Sequence, residues 1–172
     1  LNGKIEFNKN IMKSNLKQKL KSGDTTIGSW ITFSDPAIAE IMAKSGFDWL
    51  AIDMEHSSLS FTQAQQIIRV VDLCGVTPLV RVMDNNPNLI KRFMDAGAHG
   101  IIVPMINTQE EAKRAVSAVK YPPLGKRGVG LSRAQNYSLG FDSYYEWNQE
   151  NSLVIVQVEH IKAIENLESI ME

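Results

Sequence analysis

Along this chain, short apolar runs rich in β-branched residues alternate with longer stretches whose apolar positions recur every three or four residues. These are the signatures of strands and helices. Residues 26–33, 49–53, 77–82, 100–105 and 153–158 read as strands. A first helix is expected over 14–22, closed by Gly23. A second opens at Asp35-Pro36, a capping residue followed by proline at the first helical position, and ends before Gly46. Ser60 and Gln63 form a capping box for a third helix, which turns Ala64, Ile67, Ile68 and Val71 inward and stops at Gly75. Pro87 opens a fourth, burying Leu89, Ile90, Phe93 and Met94 up to Gly97. Thr108 and Glu111 box a fifth, with Ala112, Ala115, Val116 and Val119 facing inward.

The rhythm breaks over 121–134, YPPLGKRGVGLSRA, a loop by its glycines and prolines. A short helix is expected over 143–148, and a final one carries Ile161, Ile164, Leu167 and Ile170. Residues 1–13 hold Lys4, Lys9 and Lys13 among asparagines without apolar period and read as a loose tail, leaving 14–172 as one domain. The chain opens on leucine rather than methionine, so upstream sequence or a cloning remnant is expected before it.

Strands alternating with helices through short connections specify an α/β fold with a parallel sheet, buried on both faces because its strands are continuously apolar. Two architectures compete, the doubly wound open sheet and the (β/α)8 barrel. A dinucleotide-binding open sheet would carry G-x-G-x-x-G after its first strand, where this chain has FSDPAI. A closed barrel needs eight strands and about 250 residues, against about five strands here.

Composition narrows the function classes. Hydrophobic residues make up 44% and charged residues 22%, an ordinary globular balance, and a formal net charge of -1 argues against a nucleic-acid partner. No apolar run approaches the ~20 residues of a membrane span and no signal peptide is visible, so a cytoplasmic protein without membrane contact is expected. Cys74, alone, reads as a buried structural thiol.

Polar groups at the carboxyl ends of parallel strands mark a site. Here they are Trp30, Asp53, Glu55, His56, Arg81, Gln157 and Glu159. Asp53 and Glu55 share one side of the extended chain, and Arg81 supplies a permanent cation for an oxyanion. Glu159, with Gln157 two residues earlier on the same strand face, is a hard oxygen ligand for a divalent metal. No strand carries a lysine, so a Schiff base has no candidate there. Asp95 falls in the last turn of its helix, where the dipole disfavours its charge, and His56 is the partner expected to relieve it. His99 and His160 read as structural or exposed, and GKRGVG lacks the spacing of a P-loop.

Taken together, IDMEHSS, the arginine of TPLVRV, NLIKRFMDAGAHGIIVPMINT, YPPLGKRGVG and VQVEHIKAIENL resemble the HpcH/HpaI aldolases, pyruvate-dependent class II aldolases, from Leu16 to the C-terminus. The resemblance implies a barrel of the phosphoenolpyruvate/pyruvate type, present here as its N-terminal part. It also implies a homo-oligomer, hexameric at full length, that cleaves a 4-hydroxy-2-oxo acid to pyruvate and an aldehyde with Mg2+, Mn2+ or Co2+. By motif, His56 matches the base, Asp95 the carboxylate that strengthens it, Arg81 the enolate-stabilising cation, Gln157 a substrate contact and Glu159 a metal ligand; Trp30, Asp53 and Glu55 are expected around the substrate. The family's second metal carboxylate falls at the end of the strand after Glu172. A citramalyl-type CoA-ester lyase and a truncated, non-catalytic barrel fragment are the alternative readings.

Overall fold

The computed structural model describes residues 16–172; the expected tail over 1–13 and the start of the first helix lie outside the described residues. Five strands, β1 (Gly28–Ile31), β2 (Trp49–Asp53), β3 (Thr77–Arg81), β4 (Gly100–Val103) and β5 (Leu153–Val156), form one sheet in the order β1-β2-β3-β4-β5, and every pairing is parallel. The helices are α1 (Leu16–Ser22), α2 (Pro36–Ala43), α3 (Phe61–Leu73), α4 (Pro87–Ala96), α5 (Gln109–Val119), α6 (Phe141–Asn151), α7 (Ile161–Glu165) and α8 (Leu167–Met171). A doubly wound sheet reverses its strand order at a switch point. This one does not: each crossover adds the next strand on the same side, which is the winding of a (β/α)8 barrel, of which the chain forms part. Among the described residues no helix is long and apolar enough to cross a membrane.

Local chemistry sets the helix boundaries. Ser60 and Gln63 exchange both capping-box bonds at α3, as Thr108 and Glu111 do at α5, while Asp35 and Asn86 cap the proline-initiated α2 and α4. Gly97 ends α4 at φ 104°, a left-handed conformation that glycine adopts without steric cost. The helix expected over 143–148 is longer, Phe141–Asn151, and the expected last helix breaks at Asn166 into α7 and α8. Val116, expected inward, is 40% exposed; the α5 stripe that packs on the sheet is Ala112, Ala115, Ala118 and Val119.

Alternation along the strands sorts two apolar layers. On the helix side Ile31, Leu50, Ile52, Val80, Ile101, Val103, Val154 and Val156 meet Ala64, Ile67, Ile68, Val71, Ile90, Phe93 and Met94. Each such side chain, fully buried, contributes about 1.5–3 kcal/mol. On the other side, the barrel interior, Trp49, Ala51, Leu79, Ile102, Leu153 and Ile155 gather around Leu16 of α1. Close packing there requires glycine: a Cβ on Gly28 would lie 2.0 Å from the Trp49 ring, and one on Gly100 2.7 Å from Leu153 Cβ. Cys74 is half-buried at the end of α3, packed against the helix-side core, rather than fully enclosed.

Candidate active site

The parity that places Trp49, Ala51 and Leu79 inside the barrel carries Trp30, Asp53, Arg81 and Gln157 to the same face at the carboxyl ends of their strands. Asp53 and Arg81 are register partners on β2 and β3. Asp53, 3% exposed, accepts from Arg81 Nε at 3.0 Å and from Nη2 at 2.7 Å, and its Oδ1 also takes the backbone N–H groups of Glu55 (3.0 Å) and His56 (3.2 Å). One carboxylate thus folds the EHS turn back over the strand end and grips the guanidinium at once. Burial opposes the Asp53 charge, but the Arg81 bonds, the two amides and the Arg81 charge outweigh it and hold the carboxyl below its ordinary value.

Arg81 is also braced from a second side. Its Cζ lies 4.6 Å from the centroid of the Trp30 ring, a cation–π contact, and Nε stands 3.4 Å from Glu55 Oε2, an ion pair without hydrogen-bond geometry. Among the described residues its Nη1 donates no hydrogen bond. The Asp53 bonds raise its pKa first, burial opposes, and the charges of Asp53, Glu55 and Glu159 add to the rise. Three carboxylates therefore act on one guanidinium, and the strand ends carry surplus negative charge.

His56 stands at the mouth with its side chain 72% exposed and Nε2 3.8 Å from Glu55 Oε1. Glu159 Oε2 accepts the backbone N–H of Met105 at 3.0 Å. Sequence reasoning missed Met105: it sits at φ 54°, a conformation costly for a side chain of this kind, and that turn aims its N–H at Glu159. Nothing in the residue type announced it. Gln157 Oε1 is buried without a partner.

A divalent metal can be weighed against these donors. Glu159 and the orphaned amide oxygen of Gln157 are hard oxygens of the kind magnesium and manganese take, and the surplus negative charge suits a cation. Alone they would supply only part of an ion's ligands: among the described residues no three His, Cys, Asp or Glu side chains come together to hold a metal.

The expected pairing of Asp95 with His56 does not form within the chain. α4 runs back from the carboxyl end of β3, so its last turn lies at the opposite end of the sheet from His56, and there the Asp95 carboxylate accepts from Arg127 Nη2 at 2.5 Å while its carbonyl accepts from Ser132 Oγ. Within the chain, the cation that relieves the helix-terminal charge is Arg127, not His56. That end also holds His99, with Nε2 3.1 Å from Asp72 Oδ1 and its ring edge-on to Trp147, and Arg133, which donates to the same carboxylate. His99 is thus a buried structural residue, and His160 caps α7 through Nδ1. This is the amino end of the strands, where polar clusters serve stability.

A sheet wound in one direction, with its polar cluster on the inner face at the carboxyl ends, defines a (β/α)8-barrel protein with its site in the usual place. The model of the HpcH/HpaI aldolase/citrate lyase family matches residues 26–172, and the chain belongs to that family. The 2-keto-3-deoxy-L-rhamnonate aldolase of Salmonella gallinarum is 39% identical over 163 residues, 94% of this chain and 61% of that protein. Among solved structures, an HpcH/HpaI aldolase/citrate lyase family protein from Burkholderia cenocepacia is 33% identical with a TM-score of 0.84, over 91% of this chain and 64% of its own. An HpcH/HpaI aldolase from Desulfitobacterium hafniense is 31% identical with a TM-score of 0.84, over 91% of this chain and 61% of its own. The chain therefore spans less than two thirds of the length of these relatives.

Proposed function

We propose that the protein, at its natural full length, is a carbon–carbon lyase that cleaves a 4-hydroxy-2-oxo acid to pyruvate and an aldehyde, with a 2-keto-3-deoxy sugar acid as the substrate class its 39% identical relative suggests. The observation that carries this reading is the state of Arg81. It is oriented by Asp53, stacked on Trp30, placed on the inner face at the carboxyl end of its strand, and left with Nη1 to offer.

In the forward reaction His56 accepts the proton of the substrate 4-hydroxyl, the C3–C4 bond breaks, and its electron pair passes to the C2 oxygen as the pyruvate enolate. Arg81 stabilises that developing oxyanion; because Asp53 already fixes its plane, little reorganisation is needed at the moment of cleavage. A proton delivered to C3 then completes pyruvate, and the former C4 leaves as the aldehyde carbon. Glu55 stands beside both Arg81 and His56 and keeps the exposed imidazole near the cluster. Gln157 offers its amide to the substrate or to a cation. A divalent metal, Mg2+, Mn2+ or Co2+, would be held through Glu159 and Gln157 and would supply Lewis-acid polarisation of the 2-oxo group.

The protein is read as a homo-oligomer, since Leu124, Val129, Leu131 and Leu139 of the segment after α5 are exposed apolar side chains. Asp95 acts on the base in this scheme only when a neighbouring copy brings it there. Pyruvate release from 4-hydroxy-2-oxo acids, followed through lactate dehydrogenase, is expected to vanish with His56→Ala and with chelator; activity that survives both treatments would refute the mechanism.

A further inference from the structure

Away from the strand ends, the outer faces of α4 and α5 enclose a groove of about 560 Å3, lined by Lys91, Lys113, Arg114, Lys126 and Arg127 with Glu110 as its single carboxylate. The volume is that of a small-molecule site. In a chain whose formal net charge is -1, this is a local concentration of positive charge. None of Lys91, Lys113, Arg114 and Lys126 has an ion-pair partner among the described residues. Arg127 is not among these free cations: its side chain is fully buried, with Nη2 donating to Asp95, Nη1 donating to the Tyr144 hydroxyl, and its guanidinium packed over the Tyr121 and Tyr144 rings. Asn88 and Ser117 add neutral polar groups, and Gly128 leaves one end open.

We propose that this groove binds a small molecule through an oligophosphate group. Guanidinium and ammonium groups are the natural partners of phosphate oxygens. Lys113 and Arg114 on one turn of α5, Lys126 held beside Ser117 about one turn further along, and Lys91 across from them on α4 make a row of cations. A single phosphate meets only part of that row, whereas linked phosphates meet all of it. Filling the groove also relieves the mutual repulsion of the unpaired cations.

The test is a calorimetric titration of the full chain with inorganic tripolyphosphate, ATP and orthophosphate at low and high salt. Saturable 1:1 binding of tripolyphosphate and ATP is expected, with orthophosphate much weaker and all binding weakened by salt. Lys113→Glu/Arg114→Glu, on exposed positions of α5, should weaken tripolyphosphate binding roughly tenfold or more, while Lys21→Glu/Lys162→Glu, the same change in net charge elsewhere on the surface, should change it less than about threefold. Absence of saturable binding, or equal loss in the two double variants, would overturn the proposal. Neither readout depends on lyase activity.

Discussion

Replacing Asp53 by asparagine removes one charge from the most connected side chain of the site. The amide oxygen can remain at the Oδ1 position and keep the Glu55, His56 and Arg81 Nε donors. The nitrogen that replaces Oδ2 then faces Arg81 Nη2, donor against donor, where a 2.7 Å charge-assisted bond stood. Bonds to charged groups contribute about 1.5–3 kcal/mol, and an ion left alone in a buried pair costs about 3–5 kcal/mol. The Arg81 side chain is 14% exposed and keeps Glu55 at 3.4 Å, so the loss falls in the lower part of those ranges. A destabilisation of about 2–4 kcal/mol is expected, which at a urea slope of about 2 kcal/mol/M lowers the unfolding midpoint by about 1–2 M. The folded-state pKa of Asp53 is depressed, so its contribution is present above the unfolded value of ~3.9 and disappears as pH falls through the lower folded value. The gap between wild type and Asp53→Asn should therefore close in acid. Circular dichroism in urea at neutral pH and at successive steps into acid measures both. A midpoint shift under ~0.3 M, or effects of Asp53→Asn and Arg81→Met that simply add, would refute the claim that Asp53 holds Arg81.

Burial first, then the charges of Lys17 and Lys21, push Lys120 down to about 8, although its Nζ donates to the carbonyls of Asn148 and Gln149. Below that pH the lysine is charged in both states; above it the unfolded chain holds the extra proton, so stability should rise by on the order of 1–3 kcal/mol between pH ~8 and ~10, and Lys120→Met should abolish the rise. Tyr144, raised to about 12, remains neutral in the fold and reverses the trend above pH ~10, where the unfolded phenol ionises. Gly100→Ala places a Cβ 2.7 Å from Leu153 Cβ and 2.9 Å from Leu79 Cδ2, and thermal melting should show a loss of about 1–3 kcal/mol. Residues 1–172 expressed alone should self-associate, because among the described residues β1 and β5 each pair on one side and β5 is only half-buried throughout; a monomer by light scattering at micromolar concentration would contradict this.

Elements whose causes are local were legible in the sequence. The capping boxes at Ser60 and Thr108 and the prolines at Pro36 and Pro87 declare their helices because each bond joins residues two or three apart. The strand-end cluster was legible too, since charge after an apolar run needs no tertiary knowledge to notice. Partnerships were less so. Arg81 read as a cation for an oxyanion, and its Nε and one Nη2 donor are already given to Asp53, across 28 residues of sequence. Arg127 sat unremarked in a loop read for its glycines and prolines, although it takes the charge of Asp95. Which residues of the last strand face the interior was not legible, because in a strand apolar on both faces alternation carries no parity; packing puts Leu153 and Ile155 inside and Val154 and Val156 on the helix side.

Exchange of the pyruvate methyl protons with solvent deuterium tests the central claim without knowledge of the aldehyde, because it asks only whether the site stabilises an enolate. With the full-length protein and a divalent metal, the methyl resonance in a proton NMR spectrum should decay well above the buffer rate, and Arg81→Leu should return it to that rate. Exchange at the wild-type rate in Arg81→Leu, or no exchange above buffer in the wild type, would contradict the assignment of Arg81 as the group that holds the enolate.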